Sequence, residues 1–257
     1  MDPGYRSPLL DFFRRGEVAP DVRLAAAQGA LSPSAHEQLA LLVLLVDDPE
    51  PSVAASANET LGALPLEPLR AFLARTDVPD AMRAFFAARG LDAGSAAEPA
   101  GDGPVGEAPG AGEEDPDDRG TDPAVLSSLP IIERMKLAMK GTRAQRAQLI
   151  RDSNKLVAAA VLSSPKLTEV EVEAFAKMAN VTEDVLRVIA TNRTWTKNYG
   201  VIWGLARNPK TPPAISMHLL PRLNERDLKS ITTDRNVPEA VRLAARKFVV
   251  KGRKGGA

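Results

Sequence analysis

Apolar residues recur along the chain at three- and four-residue spacing, in short blocks ended by Gly, Pro, Asn, Asp or Ser. That period is helical. In the first part it predicts helices over 20–30, 34–46, 50–62, 65–75 and 79–90. In the second it predicts helices over 126–140, 143–151, 154–163, 168–179, 182–191, 195–206, 212–222, 225–233 and 238–250. Ser34-Ala-His-Glu37 and Thr168-Glu-Val-Glu171 have the form of capping boxes, in which each end satisfies the other's free N–H. Pro79, Pro212 and Pro238 stand where a first helical residue is wanted, since that N–H has no partner anyway. Helices of about ten residues are marginal alone, so neighbours must hold them.

One stretch breaks the pattern. Residues 92–123 are built from Gly, Ala, Pro, Asp and Glu, with Val105 as the one larger aliphatic. They hold ten acids and one base, Arg119. Such a segment buries too little apolar surface to offset its ordering entropy. The expected organisation is therefore an N-terminal helical domain over 1–91, a disordered acidic linker over 92–123, a basic helical domain over 124–250 and a flexible basic tail over 251–257.

The two helical parts are related. A gap-free shift of 159 residues pairs Leu61 with Leu220, Leu64 with Leu223, Leu69 with Leu228, and Val78-Pro79 with Val237-Pro238. Ala81 pairs with Ala240 and Arg83 with Arg242, giving seven identities over positions 61–83, where composition alone gives about two. A shorter unit recurs in the second part: an Ala-bearing apolar helix, a small polar turn, then a new helix. The turns begin at Ser163, Thr191, Arg207 and Thr233. Helix-turn-helix units that cannot bury a face alone, stacked in series, describe an α-solenoid.

A resemblance carries the same architecture. Asp152-Ser-Asn-Lys-Leu-Val-Ala-Ala-Ala-Val-Leu-Ser-Ser-Pro-Lys-Leu-Thr168 and Leu205-Ala-Arg-Asn-Pro-Lys-Thr-Pro212 resemble HEAT-like repeats, in particular the leucine-rich-repeat-variant kind. The block from Leu129 to about Lys247 is also similar to an uncharacterised bacterial repeat family. The resemblance implies a curved all-α scaffold and no activity.

Composition narrows the chemistry. Cysteine is absent, which removes disulfides, thiolate metal sites and cysteine nucleophiles, and fits a cytoplasmic address. Met1 to Phe13 carries Asp2, Pro3, Gly4 and Asp11, and does not read as a signal peptide. The longest apolar run, Leu39–Val46, has eight residues against the roughly 20 that a membrane span needs. The formal net charge of zero hides a split: 9 Lys+Arg against 22 Asp+Glu over 1–123, and 24 against 11 over 124–257. An acidic linker of net −9 is expected to compete for the basic domain.

Candidate catalysts are few. His36 and His218 lie in different parts, and no phosphate-loop, dinucleotide, nucleophile-elbow or zinc-helix motif is present. Glu169, Glu171 and Glu173 read as acids favouring a helix start. Neither a catalytic residue, a metal ligand nor a cofactor is expected. The densest chemical stretch is Arg193, Trp195, Lys197, Asn198 and Tyr199, followed by Trp203, Arg207 and Lys210. Trp195, Tyr199 and Trp203 are four apart and would share one helical face. Aromatic and Arg residues concentrate binding energy at interfaces, so this is the expected partner-binding patch. The leading expectation is a non-enzymatic scaffold for a protein partner. The alternative is a nucleic-acid-binding module, because interleaved bases and aromatics also suit nucleic acid. A continuous basic track would favour the second reading.

Overall fold

A computed structural model describes residues 2–31, 34–91, 105 and 123–254. Their regular structure is helical, with no strand among them. The chain forms two compact units: Met1–Leu149 with Ala159–Lys166, and Ile150–Ala158 with Leu167–Ala257. The expected linker over 92–123 lies outside the described residues, apart from Val105 and Pro123. Residues 255–257 of the expected tail also lie outside them.

The first unit contains α1 (Pro8–Arg14), α2 (Pro20–Ala27), α3 (Ala35–Leu45), α4 (Pro51–Ala63), α5 (Leu66–Leu73), α6 (Asp80–Ala87), α7 (Pro123–Ser128), α8 (Ile131–Lys140) and α9 (Arg143–Leu149). None of the residues of α3 is exposed. A helix enclosed on every side belongs at the centre, and α1, α2, α4 and α6 pack against it. Its first turn is polar yet buried, at His36, Glu37 and Gln38. Each of these has a partner. The Ser7 hydroxyl donates to Glu37 Oε1 at 2.5 Å. The His36 ring stacks on Tyr5 at 5.3 Å and meets the edge of Phe72 at 4.8 Å, between ring centres. Gln38 Oε1 accepts the buried Val105 N–H at 2.7 Å.

Sequence periodicity missed α1. Its signals are local: Ser7 accepts the Leu10 N–H, Pro8 opens the helix, and Leu9, Leu10, Phe12 and Phe13 are buried. The helix expected over 126–140 is two helices, because Pro130 stands extended between α7 and α8.

The second unit begins with the first part of α10 (Lys155–Leu162), whose residues from Ala159 belong to the first unit. It continues with α11 (Glu169–Lys177), α12 (Glu183–Thr191), α13 (Tyr199–Arg207), α14 (Pro213–Leu219), α15 (Glu225–Thr233) and α16 (Glu239–Lys254). Single 3-10 turns stand at Trp195–Lys197 and Leu220–Arg222. Helix α16 continues past residue 250, where the tail was expected to begin. Packing runs from α11 to α13, α13 to α14, α14 to α16 and α15 to α16. Phe175, Leu186, Ile189, Val201, Leu205, Ile231 and Val241 are buried in this unit. Full burial of such a side chain stabilises by about 1.5–3 kcal/mol.

The polar turns share one geometry. Asn192, Asn208 and Asp234 each follow a helix in extended conformation, with ψ of 111, 125 and 114°. In each case the side-chain Oδ1 accepts the N–H two residues on, from Thr194, Lys210 and Asn236, at 2.9, 3.0 and 3.0 Å. An Asn or Asp that closes such a turn on its own backbone ends the helix without help from elsewhere. In the first unit Ser164 does the same to the Lys166 N–H at 3.3 Å.

Under the shift of 159 residues, Leu66 at the start of α5 falls on Glu225 at the start of α15, and Asp80 of α6 falls on Glu239 of α16. Burial follows the register: Leu69 and Leu228, Phe72 and Ile231, Val78 and Val237, and Met82 and Val241 are all buried. The prolines at Pro79, Pro212 and Pro238 sit one residue before their helices rather than as the first helical residue. Their fixed φ serves equally well there.

Candidate functional site at the two ends of helix α13

The expected patch does not form one helical face. Trp195 lies in the 3-10 turn, and Asn198 is extended, with φ −72° and ψ 122°. The helix begins only at Tyr199, so the expected helix over 195–206 is broken at Asn198. The cause is local. Asn198 Oδ1 accepts the Gly200 N–H at 2.8 Å and starts a new helix. The candidate residues therefore fall into two groups. Arg193, Trp195, Lys197, Asn198 and Tyr199 lie at the N-terminal end of α13. Arg207 and Lys210 lie at its C-terminal end, about 12 Å away along nine residues of helix.

Both ends are fastened to α15. The Tyr199 hydroxyl donates to Asp227 Oδ2 and accepts the Asn224 N–H at 3.2 Å. Burial pushes the phenol pKa above its ordinary value, and the hydrogen bond and charge of Asp227 add to this, against the smaller effect of the Asn224 N–H. At the other end, Arg207 donates to Asp234 Oδ2 from Nε at 2.9 Å and from NH2 at 2.6 Å. Its guanidinium also lies 5.0 Å from the Trp203 ring centre, so this tryptophan is covered by an arginine and is half-buried. Burial works against the Asp234 carboxylate. The Arg207 and Asn236 hydrogen bonds and the charges of Arg207 and Arg242 outweigh it and hold its pKa below the ordinary value.

A third fastener joins α13 to α11. Asn208 is buried and donates from Nδ2 to the carbonyls of Ala176 at 2.9 Å and Met178 at 2.8 Å. Gly204 lets these two helices approach. A methyl group added there would stand 3.1 Å from Ala176 Cβ and 3.2 Å from the Ala176 carbonyl carbon.

At the N-terminal end, Asn192 Oδ1 accepts the N–H groups of Thr194 at 2.9 Å and Trp195 at 3.3 Å. Thr196 is buried, and its hydroxyl donates to the Asn192 carbonyl at 2.9 Å. This holds the turn rigid while Arg193 and Lys197 stay exposed and Trp195 half-buried. Arg222 reaches the same turn and donates from NH2 to the Thr196 carbonyl at 2.5 Å. Sequence reasoning did not place Arg222, Asp227 or Asp234 at the patch. They lie some 26 to 28 residues from their partners, with no local signal linking them.

The three glutamates at the start of α11 are put to separate uses. Glu171 closes the capping box with Thr168, Glu173 pairs with Lys177 at 2.5 Å, and Glu169 is exposed. Among the described residues no group of three or more His, Asp or Glu stands close enough to hold a metal ion. Among the same residues no helix is long and apolar enough to cross a membrane.

Comparison with protein families, with curated proteins and with solved structures gives no match in any of the three.

Proposed function

We propose that the chain is a non-catalytic interaction protein, and that its second unit is a short-helix α-solenoid of HEAT-like pairs that binds a protein partner. The pairs are α11 with α12, α13 with α14 and α15 with α16. Nearest-neighbour fasteners between α11, α13 and α15 support this reading, as does the turn geometry at Asn192, Asn208 and Asp234. So does the resemblance of 152–168 and 205–212 to leucine-rich-repeat-variant helices. The observation that carries the binding role is the turn at Trp195. A half-buried indole stands there on a rigid backbone beside exposed Arg193 and Lys197. Rigid aromatic and arginine anchors are what a protein interface spends its energy on.

The test is affinity capture on the intact chain with a photo-crosslinking side chain at position 197, with and without nuclease, read by mass spectrometry. A protein adduct that survives nuclease supports the reading. Adducts that vanish with nuclease favour the nucleic-acid alternative. No adduct at 197, with protein adducts at a photo-crosslinking side chain placed in the first unit of the intact chain instead, overturns the assignment of the surface.

A further inference from the structure

Part of the positive charge of the second unit is taken up in ion pairs. Lys155 pairs with Asp184 at 2.7 Å, Lys177 with Glu173, Arg187 with Glu183 and Lys229 with Glu225, each of the last three at 2.5 Å, and Arg207 with Asp234. The turn before α13 carries cations that stand outside these pairs. Arg193 and Lys197 are exposed and make no ion pair or side-chain hydrogen bond among the described residues. Arg222 brings a third cation to the same turn, spending one guanidinium nitrogen on the Thr196 carbonyl and none on a carboxylate. Three cations thus belong to one turn, with half-buried Trp195 between Arg193 and Lys197 in sequence and Asn192 holding the backbone.

Resting on the protein-binding reading above, we propose that this turn is a docking point for an acidic segment of the partner, with carboxylates on Arg193, Lys197 and Arg222 and one apolar or aromatic side chain against Trp195. A peptide is favoured over a polyphosphate by the small footprint: the three cations belong to one turn, and the neighbouring helices α12 and α15 carry Glu183, Asp184, Glu225 and Asp227 in their first turns, whereas nucleic acid needs a run of phosphate contacts. A guanidinium with free donors offers the fork geometry that a carboxylate matches. Arg235 and Lys247 are exposed cations outside the candidate patch, and serve as internal controls for plain electrostatic attraction.

The experiment is fluorescence anisotropy on the full chain with three labelled probes: a twelve-residue Glu/Asp peptide with a central Phe, the same peptide with Gln and Asn in place of the acids, and a thymidine oligonucleotide of equal length. The acidic peptide is expected to bind saturably and the other two at least tenfold more weakly. Lys197→Glu with Arg193→Glu should weaken the acidic peptide at least tenfold, and the milder pair of alanine substitutions should weaken it to a smaller degree. Trp195→Ala should weaken the Phe-bearing peptide and leave a Phe→Ala version unchanged. Arg235→Glu and Lys247→Glu should change binding less than twofold. Equal losses at Arg235 or Lys247 overturn the proposal, as does preferential binding of the oligonucleotide or no saturable binding of the acidic peptide. If the acidic peptide fails while a protein adduct at position 197 persists, only the chemistry of the partner is wrong and the scaffold reading stands.

Discussion

Arg207 gives two hydrogen bonds to a single oxygen of Asp234, a carboxylate that closes a turn with its other oxygen. The Asp234 pKa lies below its ordinary value of 3.8. A depressed carboxylate contributes stability that is fully present above its unfolded pKa and is lost as pH falls through the folded one. Asp234→Asn keeps the acceptor for the Asn236 N–H and removes the charge. It should lower stability at neutral pH by about 1–2 kcal/mol, discounted because Arg207 is nearly half exposed. In urea unfolding, the difference from wild type should shrink below the ordinary carboxylate range. A difference that is constant with pH would remove the charge from the account.

Tyr199 has the opposite sign. Its phenol pKa is raised, chiefly by burial, so its contribution is present below the ordinary phenol range and is lost as pH rises through the raised value. Tyr199→Phe should cost about 1 kcal/mol, the net worth of the lost hydrogen bonds. Alkaline absorbance titration of the wild type should contain a late-ionising component that disappears in the variant. A wild-type titration identical to that of the variant, apart from amplitude, would show that Tyr199 is not held this way.

Asn208 offers a sharper test of how α11 and α13 are joined. Its amide donates to two carbonyls from a buried position. Asn208→Ala leaves both acceptors without it and should cost about 2–3 kcal/mol. Asn208→Asp should be no better, since a carboxylate would face two carbonyl oxygens. Chemical denaturation of the two variants decides it, and wild-type stability in the aspartate variant refutes the assigned amide orientation.

Much of the fold was legible because its signals are local. The Thr168–Glu171 capping box is present in full, and the Glu37 N–H bonds to Ser34 Oγ as the Ser34–Glu37 pattern implies. Helix starts at residues 225 and 239 lie within a residue of their expected places. The breaks at Pro130 and Asn198 escape the periodicity because the apolar period continues across them, while the single residue at each break stands extended. The candidate patch was legible as residue types and not as geometry. Residue types singled out Arg193, Trp195 and Lys197, but the partners that divide the patch come from the next helix pair, and no spacing rule reaches that far.

Two glycines separate helix propensity from close packing. Gly62, in α4, has nothing within 4 Å of where a Cβ would stand, and Gly204 meets the backbone of Ala176. Gly62→Ala should stabilise by roughly 0.5–1 kcal/mol, the ordinary gain for a helix. Gly204→Ala should lose that gain and about 1–2 kcal/mol besides, because the facing helix cannot give way. Thermal melts of the two single variants test this, and a stabilised Gly204→Ala protein would mean that α11 moves freely against α13.

The turns closed by Asn192, Asn208 and Asp234 place a structural residue and free surface residues side by side. One residue in each turn shapes the backbone, and the exposed Arg193, Lys210 and Arg235 stand within two residues of it, bonded to nothing through their side chains among the described residues. Substitution at these neighbours alters what the surface attracts without touching what ends the helix. The charge of this surface can therefore be rewritten one residue per turn, with the helix ends left unchanged.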